Sequence, residues 1–444
     1  MLKKSSKQIN SWIKKEKEDR LLPIGKKLGI NFRMLFQANK AITSNWMLKE
    51  NIRLYGIYAV CVSTFFLQLS TAGITLGSII FILCWLCSDA VRDLPEVLKK
   101  YPLAIISTLL FFMFVVGVIY SPASAEVILD TLKEYRILLY IPIVMCLCKN
   151  SEEAPKYFLN SFLIGSIFAL ISSYLLLFNI LPRSLSYAPV YNSIISPTPH
   201  SGFMALLIFL LLGKLLRKDK HAVFGLPIII LALHNLLFLT GSSTGIVIFG
   251  ALLFLLAIQF LSAKRIAAMC IVSSTMAMLL FYSSSKVAFE VNEAVDTIKN
   301  YEIGSGTMRN NVSLRLDWWL SSYWLMKQKP LFGHGTGAFE MVHDEIIKGT
   351  NIEPRPHPHN EYLYTGVQLG FAGLTLFILL IAAPFYGSFR LNEPDKHSLQ
   401  GILIYFALGN LFEGWLIGSA AGNFYVMAVA VYVSSKYSDG SNIS

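Results

Sequence analysis

Long apolar stretches follow one another along most of the chain, separated by short polar segments. Each is long enough to cross the roughly 30 Å hydrocarbon core of a membrane as an α-helix. The fourth is the weakest, because Lys133, Glu134 and Arg136 stand at its start and suit the membrane interface. The pattern predicts an all-α polytopic membrane protein with about twelve transmembrane helices. The predicted spans are residues 52–69, 72–89, 102–120, 132–148, 157–179, 199–216, 222–240, 243–262, 266–283, 363–384, 399–416 and 419–435.

Basic residues mark one side of the membrane. Because positively charged loops stay in the cytoplasm, we expect both termini inside and segments 121–131, 180–198 and 284–362 outside. The basic residues follow the even-numbered spans: Arg92, Lys99, Lys100, Lys149, Lys214, Arg217, Lys218, Lys220, Lys264, Arg265, Arg390 and Lys396. The predicted organisation is a basic cytoplasmic segment (1–51), nine spans (52–283), an outer loop (284–362), three spans (363–435) and a cytoplasmic tail (436–444).

Composition supports a membrane protein and narrows its partners. Of the 444 residues, 54% are hydrophobic and 15% are charged, which is more apolar surface than one soluble core can bury. The net charge of +11 sits largely in the first fifty residues and in short loops, which indicates an anionic membrane surface rather than nucleic acid. The six cysteines lie within apolar stretches and predict neither a disulfide framework nor a cysteine zinc site. No cleavable signal peptide is expected.

The outer loop, residues 284–362, is the long polar segment of the chain, and we expect it to carry the function. Within it an amphipathic stretch from Ser313 to Gln328 contains Trp318, Trp319 and Trp324. Tryptophans in such a stretch are typical of a helix that lies at the membrane interface. Anchoring at the interface is the simpler interpretation of these three side chains.

Histidines are concentrated in the same loop, at positions 334, 343, 357 and 359. The densest piece, Arg355-Pro-His-Pro-His-Asn360, stands directly before the tenth span, so we expect His359 at the outer mouth of that helix. Imidazole is the side chain best able to take and return a proton near neutral pH. A metal site formed by His357 and His359 is the rival interpretation, but the sequence places no third ligand beside them.

Arginines supply the second part of the candidate chemistry. A guanidinium makes planar, multidentate contacts with phosphate oxygens, so an arginine can neutralise a phosphate leaving group. Arg315 begins the tryptophan-rich stretch, where a lipid phosphate is within reach. Arg355 and Arg309 are further substrate-binding candidates, although a solvated position is the simpler interpretation of Arg309. The run Gly333-His-Gly-Thr-Gly337 lacks the setting and the lysine of a phosphate-binding loop and is predicted to form a tight turn.

These residues resemble a known family. His359-Asn360 followed by Gly370 and Gly373 is similar to the H-[N/S/Q]-x9-G-x-x-G signature of bacterial O-antigen ligases, within the wider O-antigen ligase and polymerase superfamily. The runs Ser313-Leu-Arg315-Leu-Asp-Trp and Lys329-Pro-Leu-Phe-Gly-His-Gly-Thr-Gly-Ala-Phe339 also resemble that superfamily. The resemblance extends from about residue 52 onward and includes the predicted order of twelve spans with one large loop before the last three.

The resemblance implies a metal-independent, inverting glycosyltransferase that uses no cofactor. It implies transfer of a polysaccharide from undecaprenyl pyrophosphate to a sugar hydroxyl on lipid A-core, at the periplasmic face of the bacterial inner membrane. By the family pattern, His359 is the general base and Arg315 binds the pyrophosphate. Asn360 and His334 are expected to contact substrate, while His200 either lines the acceptor path or caps its span. Glu413, near the outer end of the eleventh span, is a functional candidate because acids at such depth are costly.

One departure concerns an arginine that such proteins often carry at the outer start of the eighth span. Ser243 occupies that place here, in the run Leu239-Thr-Gly-Ser-Ser-Thr-Gly245. Either another cation, such as Arg183 or Arg136, supplies the charge, or the donor is bound differently.

Three alternatives remain open from the sequence. An O-antigen polymerase would extend the chain on the same carrier, although the short 180–198 loop favours the ligase. A protein-directed oligosaccharyltransferase of the same superfamily is a further option. A transporter of the sugar-lipid would place ionisable groups near the membrane midplane and break its helices there, whereas here the polar groups collect at the outer face. Broken spans or a water-filled central cavity would favour the transporter again.

Overall fold

The computed structural model describes residues 50–266 and 311–435, together with a few isolated positions between 278 and 301. Every regular element within these residues is a helix, which confirms the all-α prediction. The α-helices are α1 (50–66), α2 (Thr71–Cys87), α3 (Leu94–Lys100), α4 (Pro102–Gly117), α5 (Ala125–Tyr135), α6 (Tyr140–Cys148), α7 (Ala154–Leu177), α8 (Pro197–Leu216), α9 (Leu226–His234), α10 (Ser243–Phe260), α11 (Asn311–Gln328), α12 (Phe339–Ile346), α13 (Glu361–Ser388), α14 (Asp395–Phe412) and α15 (Ser419–Ser435).

Six of the described helices are long and apolar enough to cross a membrane, and a seventh span results if α2 and the segment Asp89–Lys100, bent by 77°, count as one. A multi-pass membrane protein is therefore confirmed, but twelve spans are not. The predicted span 132–148 is divided among α5, a 3-10 turn and α6, and α14 begins with polar residues. The predicted span 266–283 and both terminal segments lie largely outside the described residues. The six helices are Pro102–Tyr120, Ala154–Leu177, Pro197–Leu216, Ala222–Leu239, Ser243–Phe260 and Glu361–Ser388.

Packed aromatic rings lie in the interior of the helix assembly, and large apolar side chains cover its periphery. Helix α8 packs against α10 and α14, and α15 packs against α6 and α7. Aromatic rings of Phe162, Phe203, Tyr405 and Phe424 meet where α7, α8, α14 and α15 come together. Large apolar side chains point outward from many other helices, and lipid rather than water is the solvent that such a surface requires.

The longest helix, α13, is broken at Gly370, whose φ of 65° and ψ of −163° are not helical. The turn Gly333–Gly337 fills the break. His334 N and Gly335 N donate to the carbonyls of Val367 and Gln368, at 2.9 Å each. This predicted tight turn therefore restores backbone hydrogen bonds that the interrupted helix leaves unmade, as a buried segment requires. The break also sets the direction of the amino-terminal part of α13, where the candidate site lies.

Candidate functional site

His359 lies immediately before α13 in an uncommon backbone conformation. Asn360 is the N-cap of the helix, and its side-chain oxygen accepts a hydrogen bond from Leu363 N at 3.1 Å. His359 itself has a φ of 52°, in the left-handed region that few residues other than glycine adopt. Its backbone N–H donates to Nδ1 of His357 at 2.8 Å, which holds the turn in this conformation. Such a conformation at a non-glycine residue marks a candidate functional position.

Glu413 is the direct partner of His359. It follows the last residue of α14, and its Oε1 lies 2.7 Å from Nδ1 of His359, with 31% of each side chain exposed. Burial raises the pKa of Glu413, but the hydrogen bond and charge of His359, with His357 and Arg315 nearby, outweigh burial and leave the pKa below its ordinary value. An ionised carboxylate only accepts hydrogen bonds, so Nδ1 of His359 carries the proton. The other ring nitrogen, Nε2, then has a free lone pair.

A second acid, Glu361, lies fully buried in the first turn of α13. Its Oε1 accepts hydrogen bonds from the hydroxyls of Tyr135, at 2.6 Å, and Thr365, at 3.3 Å. Its Oε2 has no hydrogen-bond partner among the described residues and lies 3.7 Å from Nε2 of His357. Because His357 Nδ1 accepts the N–H of His359, the ring proton of neutral His357 is on Nε2 and faces Glu361. Glu361 therefore stands behind the two histidines as a buried carboxyl group.

Helix α11 covers the histidines from the other side. The ring centroids of Trp318 and His359 lie 5.2 Å apart, and the guanidinium of Arg355 lies 5.2 Å from the centre of the Trp318 ring. Trp319 Nε1 donates to the carbonyl of Pro358 at 3.1 Å, which ties the proline-rich segment to the helix. Trp318 and Trp319 thus hold the segment that carries His359 against α11. The third, Trp324, is exposed.

Arg315 reaches the same place from the first turns of α11. Its guanidinium carbon lies 5.7 Å from the ring centre of Phe412, the residue before Glu413. Burial lowers the pKa of Arg315, and the negative charge of Glu413 opposes this shift. The structure thus brings Arg315 to the carboxylate that holds His359, with Arg355 across Trp318. These residues, which the sequence nominated separately, lie around one centre.

The remaining predicted residues lie elsewhere or make structural contacts. Arg309 is outside the described residues. His200 is buried within α8, with Nε2 3.2 Å from Asn235 Oδ1. His334 donates from Nε2 to the carbonyl of Leu325 at 2.9 Å, and burial lowers its pKa. Substrate contact by these three residues stays a prediction.

Of the cations proposed to replace the arginine at Ser243, Arg136 donates a hydrogen bond to the carbonyl of Lys133 and adjoins a residue of the site in sequence. Ser243 is the first residue of α10. Arg136 is exposed and directly follows Tyr135, whose hydroxyl binds Glu361. Arg183 instead donates hydrogen bonds to the side chains of Asn179 and Asn192, at 3.1 and 2.8 Å. Arg136 is therefore the better placed of the two.

Sequence reasoning missed the roles of Glu361, Tyr135 and Trp318. Glu361 stands two residues after His359, so its nearness to the histidines could have been suspected from spacing. Trp318 lies three residues after Arg315 on one helix face, a spacing that brings side chains together. Tyr135 had no signal in the sequence, because its contact with Glu361 joins residues 226 positions apart.

An apolar recess lies behind the site. A cavity of about 390 Å³ opens between α11 and α12, and Trp324, Ile347 and Ile352 are among the residues that line it. Ile347 and Ile352 also pack against Trp318, which in turn contacts His359. The cavity is thus separated from the imidazole by a single side chain.

Comparison with known proteins matches a segment of the chain to a known family. Residues 227–378 match the model of a family described as O-antigen ligase. The resemblance to the O-antigen ligase family is thereby confirmed. The matched segment contains Arg315 and His359 and ends before Glu413. An uncharacterized protein of Haemophilus influenzae is similar to the chain, with 25% identity over 304 residues that cover 65% of this chain and 72% of the relative. Over residues 227–378 the chain is therefore similar to the O-antigen ligase family.

Proposed function

We propose that this protein is an O-antigen ligase that transfers polysaccharide from undecaprenyl pyrophosphate to a sugar hydroxyl of lipid A-core. The hydrogen bond of 2.7 Å between His359 and Glu413 carries the proposal, because it leaves Nε2 of His359 free as a general base. The site would face the periplasm of the bacterial inner membrane. Nucleotide sugars are not available there, so the donor sugar arrives on a lipid.

The proposed reaction is a single displacement that inverts the sugar carbon. His359 Nε2 takes the proton of the acceptor hydroxyl as its oxygen attacks C1 of the donor sugar. The bond from C1 to the pyrophosphate oxygen breaks on the opposite face, and undecaprenyl pyrophosphate leaves. Glu413 stabilises the imidazolium that forms, since its negative charge lies directly at Nδ1. The proton on His359 then passes to solvent, to which the side chain is partly open.

Arg315 is proposed to bind the pyrophosphate of the donor. Its half-buried guanidinium is permanently charged and lies beside the acid that orients the base. Charge on the leaving group grows as the C1–oxygen bond breaks, so a fixed cation lowers the energy of the transition state more than that of the bound donor. Arg355, stacked on Trp318, and Arg136, beside Tyr135, are proposed as additional contacts to the phosphates. Arg136 would replace the family arginine whose place Ser243 occupies.

Complementation of a ligase-deficient Gram-negative host tests this proposal. The host makes the matching polymer, and wild type, His359→Ala and the control His221→Ala are expressed to equal levels. His221 is exposed in the segment before α9, so the control should behave as wild type. Wild type should restore a lipid A-linked ladder on a gel of lipopolysaccharide, and His359→Ala should not. A ladder of normal intensity with His359→Ala would refute the general-base role.

The same experiment separates the ligase from the alternatives. A bare core with longer carrier-bound chains would identify a polymerase and refute the acceptor assignment. Transport is disfavoured by the way the break in α13 is filled. The turn Gly333–Gly337 closes it with backbone hydrogen bonds, and the ionisable groups gather at the end of the helix instead of at the break.

A further inference from the structure

The two histidines of the His357-Pro-His359 segment acquire a third potential ligand in the folded chain. One ligand atom from each of His357, His359 and Glu413 lies within 4.8 Å of the others. All three side chains are partly exposed, with 14% of His357 and 31% of each of the other two accessible. We propose that this cluster is a binding site for a divalent transition metal, with Zn²⁺ as the preferred ion.

The donor atoms match zinc better than magnesium or calcium. Imidazole nitrogen with carboxylate oxygen suits zinc and its neighbours in the transition series, whereas magnesium and calcium prefer oxygen ligands alone. Zinc bonds of about 2.0–2.2 Å in a tetrahedral arrangement hold ligand atoms roughly 3.3–3.5 Å apart. Since the ligand atoms lie no more than 4.8 Å apart, the separations need to change by at most about 1.5 Å, and the Glu413 and His359 side chains that would move are partly exposed.

A separate observation points to a cation at this place. Oε2 of Glu361 and Nε2 of His357 are buried and have no hydrogen-bond partner among the described residues, although only 3.7 Å separates them. A buried carboxylate oxygen without a partner is costly. Because Nδ1 of His357 already accepts the N–H of His359, Nε2 is the atom of His357 that can bind a metal, and Oε2 of Glu361 lies on that same side.

Zinc at this site would inhibit the enzyme. Coordination engages the imidazole of His359 and the carboxylate of Glu413, so neither would be available for proton transfer. This consequence rests on the proposed function, whereas binding of the ion does not. The site would make transfer sensitive to zinc in the compartment that the outer face contacts.

Metal binding can be measured directly on the full chain, purified in detergent and stripped with a chelator. Titration of Zn²⁺ against a chromophoric competitor should give one tight site per chain. Glu413→Gln should weaken binding at least about 10-fold, because an amide is a poor zinc ligand. Glu361→Gln, which replaces the carboxylate beside Nε2 of His357, should weaken binding about 10- to 100-fold. The exposed His221→Ala should retain the wild-type affinity, and millimolar Mg²⁺ should not compete.

Glu413→Gln keeps the size of the side chain, so a change in affinity can be separated from misfolding by the thermal unfolding profile. No saturable site, or equal affinity in wild type and Glu413→Gln, would overturn the proposal. The transfer assay distinguishes the two hypotheses. Zinc that binds tightly without reducing transfer would support the metal site and contradict His359 as the base. Transfer that depends on His359 in a protein that binds no zinc would contradict the metal site and support His359 as the base.

Discussion

Replacing Gly370 by alanine should destabilise the protein strongly, because only glycine fits both the backbone angles and the space at the break in α13. The φ of 65° and ψ of −163° fall in a region that is essentially restricted to glycine. A Cβ at this position would lie 2.6 Å from Phe332 N and closer still to the carbonyl of Leu331. Both are backbone atoms, so the clash cannot be relieved by turning a side chain.

The structure allows an estimate of the magnitude. Forcing alanine into these angles costs about 1–3 kcal/mol. Moving the loop away from the break also weakens two hydrogen bonds, from Phe371 N to the carbonyl of Pro330 at 2.7 Å and from Ala372 N to that of Leu331 at 3.2 Å. Each is worth about 1 kcal/mol. We therefore expect Gly370→Ala to lower the free energy of unfolding by about 3–5 kcal/mol.

The same helix offers a matched control. Gly387 has helical geometry, and a Cβ there meets no atom within 4 Å. Gly387→Ala should therefore leave stability unchanged or raise it by about 0.5–1 kcal/mol. Unfolding of the two purified variants in detergent micelles, followed by tryptophan fluorescence, compares them directly. If Gly370→Ala unfolds within about 0.5 kcal/mol of Gly387→Ala, the explanation of the break by glycine geometry is refuted.

Three further predictions concern the site and its surroundings. Glu413→Gln should lower the rate of transfer about 100-fold with little change in thermal stability, because a neutral amide no longer fixes the Nδ1 proton of His359, and an unchanged initial rate would contradict this. Arg315→Lys should raise the KM for the lipid-linked donor and Arg315→Gln should raise it further, since lysine keeps the charge but loses the planar fork; equal KM values would remove Arg315 from donor binding. Burial lowers the pKa of His343, so the folded protein keeps it neutral while the unfolded chain binds a proton below about pH 6.5. Tm should therefore fall as pH drops from 7.5 to 5.5, and a loss that is equally steep in His343→Gln would assign the effect to other groups.

The sequence predicted most helices of the fold because each depends on a local pattern. Apolar length alone located spans near Pro102–Tyr120 and Ala154–Leu177 within a few residues of their observed bounds. The hydrophobic pattern gives no sign of an interruption in a helix when the side chains on both sides of it are apolar. The division of 132–148 and the break at Gly370 depend on contacts with other segments, so an uninterrupted run of hydrophobic residues was read as one straight helix.

The candidate site depends even more on contacts between residues that are far apart in the sequence. Imidazole and guanidinium chemistry nominated His359 and Arg315, and both lie at one centre in the folded chain. The carboxylate that completes the centre is 54 positions away, beyond the end of α14. Its contact with His359 exists only because α13 and α14 pack against each other. The sequence therefore could not show that Glu413 joins His357 and His359 as a third potential metal ligand, and it gave the metal site little support.

The glycines of the family signature have a mechanical connection to the histidine that precedes them. Gly370 breaks α13, and the turn Gly333–Gly337 occupies the gap with hydrogen bonds to Val367 and Gln368. That turn follows directly from α11, the helix whose Trp318 contacts the His359 ring. The loop thus holds α11 and the start of α13 in register, and so fixes the distance between Arg315 and His359. In physical terms, the spacing between the histidine and the first glycine of the signature is the length of the helical segment from His359 to the break at Gly370. The turn Gly333–Gly337 attaches to the helix at that break.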